Sequence, residues 1–260
     1  MTFQPKSATV LEGRFEWAQV APHPALARWV SSYWTIDAGP GKHVVRTLPD
    51  ACIDLTLQLE GKPAAFVAGA QKRAHSWPRE GRTHLFGARL LPGAAALLGI
   101  RVAELAEEWV PLEAFVSKTV AARLARDVAR STDVRDRAAT LDAFLTERLL
   151  NRELDGRLSS ALRAVFARHG DITVTELARS AGAHARTLTR LFEQGVGLSP
   201  KRFARIVRLQ SALRSLPDGV SWASVAREFG YADQAHFIRE VRELFGAPPG
   251  ALVKLAARTQ

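Results

Sequence analysis

Apolar and polar residues alternate strictly over residues 53–59. Ile53, Leu55, Leu57 and Leu59 point to one side, Asp54, Thr56 and Gln58 to the other. A period of two is that of a β-strand packed on one face. This strand lies within "HVVRTLPDACIDLTLQLEG", and "SSYWTID", "AAFVAGAQ" and "RTHLFGARLLPG" are further short strand candidates, with glycine and proline at their ends. From "PGAAALLGI" onward the apolar spacing lengthens to three and four. "SKTVAARLARDVARS" and "VRDRAATLDAFLTERLLN" read as amphipathic helices, the second marking its face with Leu141, Phe144, Leu145 and Leu149. The polar stretch "NRELDG", residues 151–156, separates these from a run of shorter helices without a strand. The pattern predicts an α+β chain. Residues 1–155 form a β-rich, barrel-like domain ending in helices, and residues 156–260 form an all-α domain.

The shorter helices contain a repeat. Ala178 and Gly182 match Ala226 and Gly230, 48 residues on; Leu188, Arg190 and Phe192 match Phe237, Arg239 and Val241, 49 residues on. The match continues from "GLSPKRF" to "GAPPGAL" at the same offset of 49. Each unit reads as helix, glycine turn, helix, and a turn opening the next helix at proline. A small residue lets the first helix approach the second, and the glycine supplies the left-handed backbone of a sharp turn. This is a helix-turn-helix, twice.

Periodicity then sorts the faces. In the first unit Leu188, Leu191 and Phe192 face the core, leaving Arg186, Thr189, Arg190 and Glu193 on the opposite stripe. In the second unit the equivalent stripe is Ala235, Ile238, Arg239 and Arg242, flanked by Gln234 and His236. Arginine reads guanine and glutamine reads adenine in the DNA major groove, so these faces suit base recognition. Arg186, Thr189, Arg190, Gln234, His236, Ile238 and Arg239 form the expected base-contacting set. The connecting helix, Ser199 to Leu216, would span about 27 Å at roughly 1.5 Å per residue. Its positions Lys201, Arg202, Arg205 and Arg208 are expected to be exposed and to neutralise phosphates, together with His184 and Arg242. Plainer readings stand beside these. His184 and His236 also suit helix caps, and Arg205 and Arg242 also suit solvated surface charges.

Charge supports the nucleic-acid reading. The net charge is +10, and residues 156–260 hold 16 Lys+Arg against 8 Asp+Glu, so most of the excess sits in the helical part. The single cysteine, Cys52, excludes a disulfide framework and a cysteine-rich zinc site. No apolar run is long enough to span a bilayer, and the first residues lack the apolar core of a secretory signal. These features predict a cytoplasmic protein with no membrane partner and no cofactor. A hydrolase is disfavoured by the lack of Gly-x-Ser-x-Gly.

"ELARSAG…RTLTRLF…GLSPKRFARIVRLQSAL" followed by "SVAREFGYADQAHFIREVRELFGAPPGAL" resembles the DNA-binding domain of the AraC/XylS family of bacterial transcription regulators, over residues 156 to 260. The resemblance implies a sequence-specific regulator that binds double-stranded DNA and contacts RNA polymerase. The chain departs from the family pattern at His184 (usually Ser), at Leu252 (often aromatic), and at Ala235 and Ile238 (often polar). The same domain also occurs fused to a DNA-repair alkyl acceptor, which needs four thiolates; one cysteine excludes that reading. The remaining alternative is an architectural, weakly specific DNA binder whose first half only oligomerises.

For that first half the resemblance implies a small-molecule effector or a homodimer. Five of the six tryptophans, Trp17, Trp29, Trp34, Trp77 and Trp109, lie there, as pocket lining or as plain core. Asp54 and Arg89, polar within apolar strand text, are expected to form a buried pair that holds the barrel together. Cys52 is expected to be a small buried apolar residue.

Overall fold

The computed structural model describes residues 9–12, 15–105, 109–215 and 221–251. Nine antiparallel strands come first: β1 (Thr9–Glu12), β2 (Phe15–Val20), β3 (Val30–Ala38), β4 (Lys42–Thr47), β5 (Ile53–Gln58), β6 (Ala64–Ala68), β7 (His75–Glu80), β8 (Thr83–Leu90) and β9 (Trp109–Pro111). They form two sheets, of order β1-β4-β7 and β2-β3-β8-β5-β6-β9, and not the closed barrel that the strand pattern suggested. The smaller sheet covers one face of the larger. Val45 and Trp77 of the small sheet cluster with Trp34, Ile36 and Leu85 of the large one.

The other face of the large sheet carries the helices α2 (Lys118–Arg130) and α3 (Val134–Leu149), which follow the short α1 (Ala94–Leu97). Leu55, Leu57, Phe86 and Ala88 are buried on this side with Leu124, Leu141, Leu145 and Leu149. The alternation in β5 is therefore real, but its polar side does not meet water. Asp54 and Thr56 face the space between the two sheets.

Two strands had no clean signal in sequence. β7 contains Pro78, which cannot donate to a ladder; it is tolerated because β7 is an edge strand. β2 alternates half-buried with exposed residues at the other sheet's edge.

A second polar contact ties the large sheet to α3. Arg137 is buried; its Nε donates to the Ser131 carbonyl at 2.8 Å and its Nη1 to His84 Nε2 at 2.8 Å. Burial first, and Arg137 second, hold the His84 imidazole below its ordinary pKa, against smaller opposing effects of Asp37 and Glu60. The contact needs a neutral imidazole as acceptor. Its stability contribution is whole above the ordinary histidine pKa and is lost as pH falls through the lowered value. Urea unfolding at pH 7 and pH 5 checks this: wild type should lose more stability on acidification than His84→Gln, which still accepts from Arg137 but cannot titrate.

After α3 the chain runs through α4 (Gly156–Ala167), α5 (Val174–Ser180), α6 (Ala185–Val196), α7 (Pro200–Arg214), α8 (Trp222–Glu228) and α9 (Gln234–Phe245). Local chemistry sets the starts. Asp155 caps α4 through Arg157 N, Thr173 and Glu176 form a reciprocal capping box on α5, and Ser199 caps α7 with Pro200 behind it. The expected Asp218–Gly219 turn and the final helix beyond Ala251, with Leu252, lie outside the described residues. No helix among the described residues is long and apolar enough to cross a membrane.

The helical part is packed onto the sheets. Arg46 Nη2 donates to the Phe245 carbonyl at 2.6 Å, and Ala74 N to the Leu244 carbonyl at 2.7 Å, so β4 and the β6–β7 segment hold the end of α9. Gln210 Nε2 of α7 donates to the Pro49 carbonyl at 2.7 Å. Between α3 and α4, Arg28 Nη2 donates to the Leu150 carbonyl at 2.8 Å, and Leu154 lies against Gly93. One apolar cluster runs through both parts, from Leu55 and Leu145 to Leu188 and Phe237.

Candidate nucleic-acid interface

The two repeat units superimpose in their local chemistry. α5 and α8 are seven residues each, α6 and α9 twelve each, and α6 starts 49 residues before α9. Gly182 and Gly230 take positive φ, 57° and 68°, at the turns. Ala178 and Ala226 are buried where the first helix of each pair meets the second. Both second helices end at a left-handed glycine, Gly197 and Gly246.

On α6 the expected stripe is solvent-facing. Arg186 and Arg190 are exposed; Arg190 makes only a long 3.4 Å contact with Gln194. Thr189 is half-buried, and its hydroxyl donates to the Ala185 carbonyl at 3.0 Å, leaving its oxygen lone pairs outward-capable. His184 occupies the N-cap position but makes no side-chain cap bond and stays exposed.

On α9 the stripe is divided. Gln234, Arg239 and Arg242 are exposed. Ile238 is half-buried and packs against the apolar cluster, a correction to its expected groove-facing place. His236 is also committed locally. Its Nδ1 accepts from Ala232 N at 3.3 Å, and its ring stands edge-on to Tyr231 at 5.4 Å. Asp233, not a histidine, caps this helix, accepting from His236 N at 2.6 Å.

The connecting helix differs most from expectation. It spans 15 residues, not 18, or about 22 Å at roughly 1.5 Å per residue. Lys201 is exposed. Arg205 is not: its Nε and Nη2 meet the two oxygens of Glu240 at 2.7 and 2.8 Å, and Nη2 also reaches Glu243 at 2.7 Å. Arg202 is half-buried, 3.8 Å from Glu243, and donates to the Lys72 carbonyl at 3.5 Å. Arg208 donates to the Gly230 carbonyl at 3.3 Å, lies 3.5 Å from Asp171, and covers the Tyr231 ring. These three arginines sit on the stripe that faces α9 and the second turn. They clamp the second motif to the first.

Hydrogen bonds from Arg205 hold the Glu243 carboxyl below its ordinary pKa, so it is ionised at neutral pH. One pair escaped sequence reasoning. Arg179 and Arg227, in the last turns of α5 and α8, are both exposed and lie 48 residues apart. The repeat offset that found Ala178 and Ala226 also finds them.

Comparison with known proteins agrees with this geometry. A family model described as a helix-turn-helix domain matches residues 177–254, and one described as a domain of unknown function (DUF6597) matches residues 18–111. An uncharacterized HTH-type transcriptional regulator from Haemophilus influenzae is 35% identical over 97 residues, covering 36% of this chain and 33% of that protein. Transcriptional activator NphR from Rhodococcus sp is 36% identical over 89 residues, covering 34% and 26%. The chain therefore matches a third or less of the length of these curated relatives. Among solved structures, a probable AraC family transcriptional regulator from Rhodopseudomonas palustris CGA009 is 27% identical with a TM-score of 0.34, over 39% of this chain and 98% of that one. ToxT from Vibrio cholerae is 8% identical with a TM-score of 0.44, over 95% and 97%. Through its C-terminal double helix-turn-helix domain, the chain belongs to the AraC/XylS family.

Proposed function

We propose that the chain is a sequence-specific regulator of transcription, in which residues 156–260 bind duplex DNA and residues 1–155 sense an effector or pair two copies. One observation carries the reading. The arginines of the recognition stripes, Arg186, Arg190, Arg239 and Arg242, are exposed without an ion pair among the described residues, while those of α7 are spent on internal partners. Free guanidinium groups on two equivalent helices suit the major groove. His184, Lys201 and Arg242 supply phosphate contacts, and Arg179 and Arg227 extend them, since the first helix of such a motif crosses the backbone. RNA polymerase is the further partner proposed for bound protein.

The two motifs are unequal. α6 presents Arg186, Thr189 and Arg190 to base edges, whereas α9 presents Gln234 and Arg239, with Ile238 turned toward the core and His236 tied to its own turn. The first motif is therefore proposed to carry most base discrimination, and the second to anchor the domain. A site selected from random duplexes, then scanned base by base with wild type, Arg190→Ala and Arg239→Ala, tests this. Arg190→Ala should cost about 1–3 kcal/mol and relax preference at one or two base pairs; Arg239→Ala should weaken all sequences more evenly. Equal information in both half-sites would refute the asymmetry. A specific-to-nonspecific affinity ratio near one, at fixed salt, would favour the architectural reading instead.

A further inference from the structure

Between the two sheets lies a cavity of about 50 Å³ measured at water centres. One water needs roughly 10–15 Å³ on that measure, so the space suits a few waters or one small ring. Its apolar walls are indoles. Trp34 lies flat across Gly87, where a Cβ would meet its ring at 2.5 Å, and Trp77 and Trp109 stand 6.1 Å apart on the side of the small sheet. Such flat faces suit a planar guest.

The polar wall is built and incomplete. Arg89 is 3% exposed; its Nε and Nη2 are 3.3 and 3.2 Å from the Asp54 oxygens, and Nε is 3.4 Å from Asp50. Its Nη1 is buried without a partner. Gln71, 8% exposed, donates to the Gly69 carbonyl at 3.2 Å, while its Oε1 is likewise buried and unpartnered. A donor and an acceptor thus line one small space with their bonds unmade, each costly to leave so. The formal charges on the wall cancel, Arg79 and Arg89 against Asp50 and Asp54. An anion would meet two carboxylates and a cation two guanidinium groups. A neutral guest meets neither penalty.

The cavity rim is also the seam to the DNA-binding part. Thr47, Leu48 and Asp50 line the cavity; the neighbouring Arg46 and Pro49 hold Phe245 of α9 and Gln210 of α7. Gly69 and Gln71 line it too, and Ala74, three residues on, holds Leu244.

We infer that this cavity is an effector site for a small, uncharged, planar aromatic molecule bearing both a hydrogen-bond acceptor and a donor, and that its occupancy is relayed to α7 and α9 through residues 46–50 and 69–74. The acceptor takes Arg89 Nη1 and the donor serves Gln71 Oε1, as a carboxamide would. The relay rests on the DNA-binding function proposed above; the cavity's ligand class does not.

Three probes of matched shape test the site on the intact protein: benzamide, benzoate and benzylamine, followed by tryptophan fluorescence and calorimetry. Benzamide should bind saturably and at least tenfold tighter than either charged probe, and Gln71→Leu should weaken it about tenfold with unchanged circular dichroism. Equal or tighter binding of benzoate or benzylamine, no saturable binding, or an indifferent Gln71→Leu overturns the assignment. For the relay, saturating benzamide should change affinity for a selected duplex at least threefold, and the duplex should change benzamide affinity by the same factor. Arg46→Ala should bring that factor near one while leaving benzamide affinity intact. A duplex affinity indifferent to benzamide overturns the relay. If no duplex is selected at all, the DNA-binding reading fails and the relay with it, while the benzamide titration still decides the cavity.

Discussion

Replacing Arg89 by alanine should destabilise the protein by about 3–5 kcal/mol, the range for removing one partner of a buried ion pair. Set against a typical total of about 5–15 kcal/mol, that is a large share. Two carboxylates depend on this one guanidinium: Asp54, which also accepts from Trp34 Nε1 at 3.0 Å, and Asp50, which also accepts from Cys52 N at 2.9 Å. Burial already pushes the Asp50 carboxyl above its ordinary pKa against the pull of Arg89. Without the arginine both acids sit higher still in the folded state. A raised carboxyl gives stability that is present below its unfolded pKa and lost as pH rises through the folded value. The variant should therefore be worst near pH 7 and recover part of its deficit toward pH 4.5. Urea unfolding of both proteins at the two pH values measures this; a deficit that grows on acidification would contradict it.

Arg205→Ala should cost about 2–3 kcal/mol of folding stability, below the full range for buried pairs because Arg205 is itself partly exposed. It leaves Glu240, whose side chain is 7% exposed, without its two-point partner. Arg205→Lys should restore little, since an ammonium cannot present the parallel N–H pair that meets both oxygens. The DNA-binding consequence separates this role from a phosphate contact. A lost phosphate contact lowers the salt dependence of binding by about one counterion. Arg205→Ala should instead weaken binding through a loosened α9 with the salt slope unchanged, while Lys201→Ala lowers the slope with stability unchanged. Melting temperature and affinity at several salt concentrations distinguish the two.

The contrast between these arginines shows where sequence periodicity stops. The spacing of Leu188, Leu191 and Phe192 located the face of α6, because a helix buries one stripe and the sequence states which. Gly182 and Gly230 located both turns, because few other residues take that backbone cheaply. For α7 the spacing of Lys201, Arg202, Arg205 and Arg208 named one polar stripe but not what lies opposite. Glu240 is 35 residues away, and only the tertiary packing brings it beneath Arg205. The same limit applies in the sheets. Alternation in β5 separated Leu55 and Leu57 from Asp54 and Thr56, but a period of two cannot say whether the polar side meets water or a second sheet. Asp54 beside Arg89 was legible as a buried pair; Asp50, Gln71 and Arg79 were not, lying in strand ends and loops whose local text carries no period. Pro78 hid β7, since proline argues against a strand wherever the edge is not known in advance.

The stretch between α3 and α4 has one more consequence. Leu150 is held by Arg28 on one side and Leu154 rests on Gly93 on the other, so the joint offers no swivel between the sheets and the recognition helices. If two copies pair through their sheets, each copy's reading heads are carried at a fixed phase around the duplex. Every inserted base pair would turn one half-site by roughly a tenth of a helical turn relative to the other. A rigid dimer cannot follow that rotation, so it would demand one spacing between half-sites, where a protein with a slack joint would accept several.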